Sequence, residues 1–467
     1  MKLEQTTLVH FSSKFIAVFV GFLGTVYFAR EVGAQILGTY FLILGLLTLM
    51  KKMGSIGVRT ATTKYLSENQ DPAYITSGFA VQLFIFAFLS VLVFLLEPFV
   101  NRYVGAEVAL LLIFILFIRL TLSFLYGVLD GEQSVHVSSV LESTETILRT
   151  SIQAAGILVG FKLGALVFGY IGAVLVVIVL SAYFVSAGFR MPDKSHLSDI
   201  TSYVKYSWLG GARSVSFAWM DTLVLGLFVA NDVIGVYEIA WMASSVLAIF
   251  GTSVSRAVFP EISNISQQKG DQAVSKLTSK SIAYAGLLLI PGIIGFYLLG
   301  EPLLLIYGGE FVIGSTVLVI LAIARLLYAY QQQFLTSLNA INRPDLAFRI
   351  SAVFTIANVG LNFVLIYLIG WTGAAIATAF SSGLGLVLSA SYLSRTISVN
   401  FPYQFILQQA IAAGLMGLGI IGAQSLIGTS ILNSLLLVIL GIIVYFSTLS
   451  AVSPDFRAAF MRNILSI

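Results

Sequence analysis

Not one of the 467 residues is a cysteine, and the only histidines are His10, His136 and His196, far apart in the chain. The first absence excludes a disulfide framework, a thiolate metal site and a catalytic thiol. The second leaves no basis for a histidine-built metal site. Charge is scarce too. Asp, Glu, Lys and Arg together make up 10% of the chain, where soluble domains carry about 25%. No GxxxxGK[ST] stretch occurs, so no ATP-cradling loop is expected. The segments between apolar runs are too short for a soluble catalytic domain. No catalytic residue, cofactor, metal or nucleic-acid partner is expected.

Apolar surface is abundant. Hydrophobic residues account for 58% of the chain, in recurrent runs long enough to cross a hydrocarbon core of about 30 Å. The runs are continuous, not alternating, which points to helices and against a barrel. The expectation is an all-α polytopic membrane protein. Fourteen spans are expected near about 8–29, 35–56, 75–97, 107–129, 138–160, 164–188, 206–229, 233–258, 281–300, 311–338, 346–369, 372–394, 403–426 and 430–451. The fifth and tenth are polar, which leaves a count of twelve open. The first shows no small-residue cleavage pattern and reads as a span, not a cleaved leader. Pro291, inside the ninth span beside Gly292, is expected to kink it, while Pro260 and Pro344 are expected to mark span ends.

Orientation follows from lysine and arginine in the loops. With the N-terminus in the cytoplasm, seventeen fall on the inner side and three, Arg30, Arg102 and Lys162, on the outer side. Both termini are therefore expected on the cytoplasmic face of the cell membrane.

The chain also matches itself at an offset of about 197 residues. Val18 falls on Val215, Thr25 on Thr222, Gly38 on Gly235, Tyr40 on Tyr237, Gly54 on Gly251 and Arg59 on Arg256. Six spans per unit is even, so both copies start from the same side and form a parallel repeat. The expected domains are a lobe over residues 1–193, a second over 194–398, and the last two spans with a tail over 399–467. Substrate is expected in a central cavity between two such lobes, which rock against each other.

With "VYFAREVGAQILGTY", its echo "LGLFVANDVIGVYEIA" and "SLNAINRPDLAFR", the chain resembles the O-antigen-type polysaccharide-biosynthesis flippases of the multidrug/oligosaccharidyl-lipid/polysaccharide (MOP) exporter superfamily. The resemblance covers essentially the whole chain, through loose hydrophobic patterns. It implies a flippase moving a polyprenyl-pyrophosphate-linked oligosaccharide from the inner to the outer leaflet. The implied partners are that anionic lipid-linked glycan and membrane lipids.

Charged residues within the expected spans are costly, at least about 2.5–3.5 kcal/mol each, and usually face a bundle interior or a wet cavity. The cations are Lys14, Arg119, Arg149, Arg213 and Arg325; the acids are Glu142, Glu145, Asp221 and Glu238. Lys14 has a plain alternative, snorkelling to the interface, and Glu238 reads as interfacial. Glu142, Glu145 and Arg149 share one helix face by i,i+3 and i,i+4 spacing. That face is either a cavity wall or a self-neutralised pair locking helices together. Asp221 is a candidate site for a coupling proton or sodium ion. Cations in excess of acids favour an anionic ligand, and guanidinium matches phosphate oxygens. Tyr328, Gln332, Asn358 and Asn362 are candidate glycan contacts, with helix–helix hydrogen bonding as an equal alternative. A monomer is expected. Two other functions compete. A cation-coupled drug antiporter of the same superfamily would call for more acidic sites, and a membrane-embedded glycosyltransferase or polymerase for longer outer loops.

Overall fold

The computed structural model describes residues 3–55, 57–188, 190–207, 212–268, 271–428, 430–454 and 456–458, with side chains described from Ile16 onward except at 205–207, 212–213, 257, 266–268 and 271. Among the described residues there is helix and no strand. The helices are α1 (Leu3–Ser55), α2 (Val58–Asn69), α3 (Ala73–Leu95), α4 (Glu97–Val104), α5 (Ala109–Gly131), α6 (Val135–Leu158), α7 (Lys162–Phe184), α8 (Lys194–Ser207), α9 (Ala212–Phe228), α10 (Asn231–Gln268), α11 (Asp271–Ala285), α12 (Leu289–Leu304), α13 (Ser315–Ala340), α14 (Pro344–Ile369), α15 (Thr372–Thr396), α16 (Tyr403–Ile427) and α17 (Ile431–Val452).

Each expected span falls on a helix. Eleven segments of the described residues are long and apolar enough to cross a membrane by length and composition. The other three expected spans have plain reasons to escape that measure. The first two merge in α1, α6 is charged, and the apolar described part of α9, Ser214–Phe228, is short. The merged α1 is interrupted at Gly33, whose φ of 80° and ψ of 170° are not helical. Glycine accepts that positive φ without a Cβ clash. The joint between the first two spans is thus one residue.

The ninth span is interrupted, as Pro291 leads one to expect. It breaks between α11 and α12 at residues 286–288, with Pro291 in the first turn of α12. Proline has no N–H to give to the Leu287 carbonyl one turn back and its ring crowds that carbonyl, which is where the helix breaks. Pro260 does not end its helix, since α10 runs on to Gln268. Pro344 does mark a start, as the first residue of α14. The short helices α2, α4 and α8 were not evident as helices in the sequence because each is a brief, mixed-polarity stretch.

The contacts divide the chain into two compact units, Met1–Gly235 and Val236–Ile467. In the first, α6 packs against α1 and α7, and α5 against α2 and α7. Buried Leu112, Leu116, Leu120, Val174 and Val177 form the apolar part of this interior. The outward face of α3 carries exposed Phe84, Phe88 and Phe94, as a lipid-facing helix should. On the loop side, α8 packs on α2 and α3 through Ile200, Ala61 and Tyr74. Asp71 accepts hydrogen bonds there from the Ala73 backbone at 2.9 Å and from Arg190 at 3.0 Å, with His196 Nε2 3.4 Å away.

The first unit also contains a close crossing. A Cβ on Gly38 would run into the backbone carbonyl of Asn231, and a Cβ on Gly235 would run into that of Ala34. At the 197-residue offset Ala34 corresponds to Asn231 and Gly38 to Gly235. The contact is therefore reciprocal, the arrangement that a two-fold relation between equivalent segments produces. Asn231 adds hydrogen bonds to Thr39 at 2.8 Å and to the Val104 carbonyl at 2.9 Å.

In the second unit α13, α14 and α15 pack together, with α16 and α17 against α12. Tyr445 of α17 donates to the Leu287 carbonyl at the α11–α12 break, at 2.9 Å. A carbonyl freed by the interrupted helix is thereby satisfied.

Candidate functional site

The charged face of α6 is turned into the first unit. Glu145 is buried, with 7% of its side chain exposed, and its Oε1 lies 2.6 Å from Nη1 of Arg119 on α5. The Tyr126 hydroxyl donates to the other carboxylate oxygen over a longer 3.4 Å. Arg119 and Arg149 both lie against the Tyr170 ring of α7, at 5.9 and 5.8 Å from its centroid. A ring face attracts cations in this range. Lys51 of α1 lies close enough to Arg119 and Glu145 to interact electrostatically with both. Three cations from three helices thus surround one buried carboxylate. Cations are in excess here, so the cluster can take an anion.

Local packing fixes this geometry. Gly169 of α7 leaves room for Gln153 of α6, whose backbone and side-chain stem a Cβ there would strike. Gln153 Nε2 then donates to the Leu166 carbonyl at 2.6 Å and to the Tyr40 hydroxyl at 2.8 Å. One amide ties α1, α6 and α7 together beside the charged residues. The small Gly24 of α1 leaves room in the same way for Thr150 of α6.

Glu142 is half exposed and lies 4.0 Å from Arg59 of α2, which pairs more closely with Asp130 of α5 at 2.8 Å. The in-helix pair of Glu145 with Arg149 is not formed within 4.0 Å. Glu145 turns to another helix, and Arg149 makes no ion pair among the described residues.

Arg325 of α13 sits in the second unit. It is buried, its guanidinium carbon lies 4.0 Å from the Trp241 ring centroid, Nε donates to Ser244 at 2.7 Å, and Nη2 donates to the Trp241 carbonyl at 2.9 Å. Tyr328 and Gln332 are half-buried on the same face of α13, three and seven residues further on, and Tyr328 meets Phe354 of α14. Asn358 and Asn362 are fully buried. Asn358 donates to Thr378 at 3.1 Å and to Ser381 at 3.2 Å on α15, and Asn362 donates to the Asn358 carbonyl at 2.9 Å. Helix–helix hydrogen bonding is therefore present at this pair. Asp221 and Glu238 are buried. The side chains of Lys14 and Arg213 lie outside the described residues; both residues are helical, in α1 and α9.

Sequence reasoning missed Lys51 and Arg59, which fall at span ends and were counted as loop charges. It also missed Tyr126, Tyr170 and Trp241. No spacing singles out these rings among 20 tyrosines and 4 tryptophans. The interior position of Arg119 was the usable signal, since any such guanidinium needs polar company.

A family model described as "Polysaccharide biosynthesis protein" matches residues 3–266. The chain is 28% identical over 472 residues to the "Probable low-salt glycan biosynthesis flippase Agl15" of Haloferax volcanii, which covers 100% of this chain and 99% of that one. It is 29% identical over 426 residues to the "Probable flippase AglR" of the same organism, covering 89% and 88%. Among solved structures, the lipid II flippase MurJ in an inward closed conformation superposes with a TM-score of 0.80 over 98% of this chain and 100% of that one, at 15% identity. At that identity the likeness shows the fold alone.

Proposed function

The chain belongs to the polysaccharide biosynthesis protein family of the MOP exporter superfamily, and on that footing we propose that it is a flippase for a polyprenyl-pyrophosphate-linked oligosaccharide. It carries this lipid from the inner to the outer leaflet of the cell membrane by alternating access. Residues 1–193 and 194–398 serve as its two repeated lobes, and both termini face the cytoplasm. The names of its two archaeal relatives support a flippase acting in glycan synthesis.

The observation that carries the ligand class is the placing of Arg119, Arg149 and Lys51 around the single carboxylate of Glu145. An anion neutralises such an excess, and a pyrophosphate offers each guanidinium the paired oxygens it binds best. Arg213, Arg325 and Lys14 are further candidate contacts for an anionic headgroup. Tyr328 and Gln332, on the Arg325 face of α13, meet the glycan, with Asn358 and Asn362 behind them. Asp221 is the candidate for a coupling proton or sodium ion. A drug antiporter would place carboxylates where the organic cation sits, and the excess of cations in this cluster opposes that.

The test is flipping in proteoliposomes loaded with a fluorescent polyprenyl-pyrophosphate sugar and quenched from outside. Wild type should speed the loss of inner-leaflet fluorescence. Arg119→Gln combined with Arg149→Gln should slow it by about a hundredfold if each guanidinium contributes about tenfold, or 1.4 kcal/mol. Equal rates for the double variant and the wild type would defeat the reading.

A further inference from the structure

A carrier that returns empty must keep its binding cations buried without their ligand. An unpaired buried charge costs several kcal/mol, so something inside the protein has to neutralise it on the return. In the first unit the group in place is Glu145. Its Oε1 holds Arg119 at 2.6 Å, and no other described residue pairs with that guanidinium within 4.0 Å.

The pair is built to be exchanged. It is a single contact, one nitrogen to one oxygen, so the remaining donors of the Arg119 fork are left for a second anion. The only other described hydrogen bond to the carboxylate is the long one from Tyr126, at 3.4 Å. A phosphate oxygen arriving at Arg119 replaces one charge-assisted hydrogen bond with another of similar strength. The displaced carboxylate then has a partner ready. Lys51 of α1 lies within electrostatic reach of it, and Arg149, which lies against the Tyr170 ring, remains for the ligand. The groups facing Glu145 are Tyr40 and Lys51 of α1, Arg119 and Tyr126 of α5, Tyr170 of α7, and Arg149 with Glu142 on α6 itself. Among them the only other acid is Glu142, which is half exposed and near Arg59. Among the described residues no second carboxylate is placed to do this work.

We propose that Glu145 is the built-in counter-anion of the flippase. It holds Arg119 while the site is empty, yields it to a ligand phosphate, and takes it back when the ligand leaves, so that binding stays weak enough for release. This rests on the pyrophosphate-flippase reading and assigns Glu145 a role opposite in sign to that of a ligand contact. Glu145 touches no ligand. It sets the affinity through Arg119.

The sign makes the test. The full-length protein in lipid nanodiscs is titrated with farnesyl pyrophosphate as the probe. Removing the competing charge in Glu145→Gln should tighten binding by about tenfold, near 1.4 kcal/mol, and should slow turnover in the flipping assay at saturating substrate. Arg119→Gln should weaken binding by about tenfold. In that background Glu145→Gln should gain less than about twofold, since the two act through one contact. An unchanged or weaker affinity for Glu145→Gln at an unshifted Tm overturns the proposal. If Glu145→Gln does not fold, Glu145→Asp is measured instead. Its shorter arm should loosen the grip on Arg119 and tighten the probe by about threefold, and wild-type affinity for that variant overturns the proposal equally. Binding that weakens with Arg119→Gln but does not tighten at position 145 removes the counter-anion and leaves the flippase reading standing. Binding that is absent in wild type, or indifferent to Arg119, removes both.

Discussion

Asp71 shows how a single carboxyl holds a peripheral helix. The Ala73 N–H, helped by Arg190 and His196, holds it below its ordinary value of 3.8. A carboxyl depressed on folding contributes stability that is present above its unfolded value and is lost as the pH falls through the folded one. The anchorage of α8 should therefore persist from neutral pH down to about 3.8 and fail only below it. Amide hydrogen exchange in α8, corrected for the intrinsic pH dependence, should show that step. Asp71→Asn should abolish the step and leave α8 less protected than in the wild type at neutral pH, the two converging at the acid end. Protection of α8 that is the same in the variant and the wild type at pH 7 would show that its apolar contacts hold it alone. Within the membrane helices the decisive single residues are of another kind. Arg119 was recognisable from sequence because a guanidinium amid leucine and isoleucine demands a partner. The partner itself, Glu145, lies 26 positions later and was recognisable only as one member of a charged helix face. Which cation it takes depends on how α5 and α6 pack, and periodicity within one helix carries no information about that.

Most helices were legible from apolar run length alone, which is why the described residues of the expected spans fall on helices. The joints were not. The Gly33 joint in α1 is one of 41 glycines, and nothing local sets it apart. Pro291 did announce a break in its span, and the break lies one turn before it, around Leu287. The repeat was more informative. Gly38 and Gly235 matched at a fixed offset, and their backbones turn out to make reciprocal close contacts. Small residues allow such close crossings in membrane helices. Gly38→Leu should force α1 and α10 apart and lower stability by about 1–3 kcal/mol, the usual cost of overpacking, read as a drop in Tm in detergent. Gly360→Leu, on a helix where a Cβ meets nothing within 4 Å, is the control and should leave Tm within about 1 °C of wild type. Equal shifts for the two variants would mean that the crossing contributes nothing special.

At the scale of the whole molecule, composition alone pointed to a bundle of membrane helices. The loop charges led to an expected orientation, and the cations within the spans to a proposed ligand charge. The identity of the glycan is written in none of these, because sugar hydroxyls are met by ordinary polar side chains such as Gln332, which carry no distinctive spacing. The proposed function therefore rests on the excess of cations over carboxylates around Glu145. The most direct test is a deletion strain in which lipid-linked oligosaccharide is measured separately on the two leaflets, with no second carrier for that lipid present. The account predicts accumulation on the inner leaflet, restored to outward delivery by the wild-type gene and not by one carrying Arg119→Gln with Arg149→Gln. Undiminished delivery to the outer leaflet in the deletion strain would contradict it.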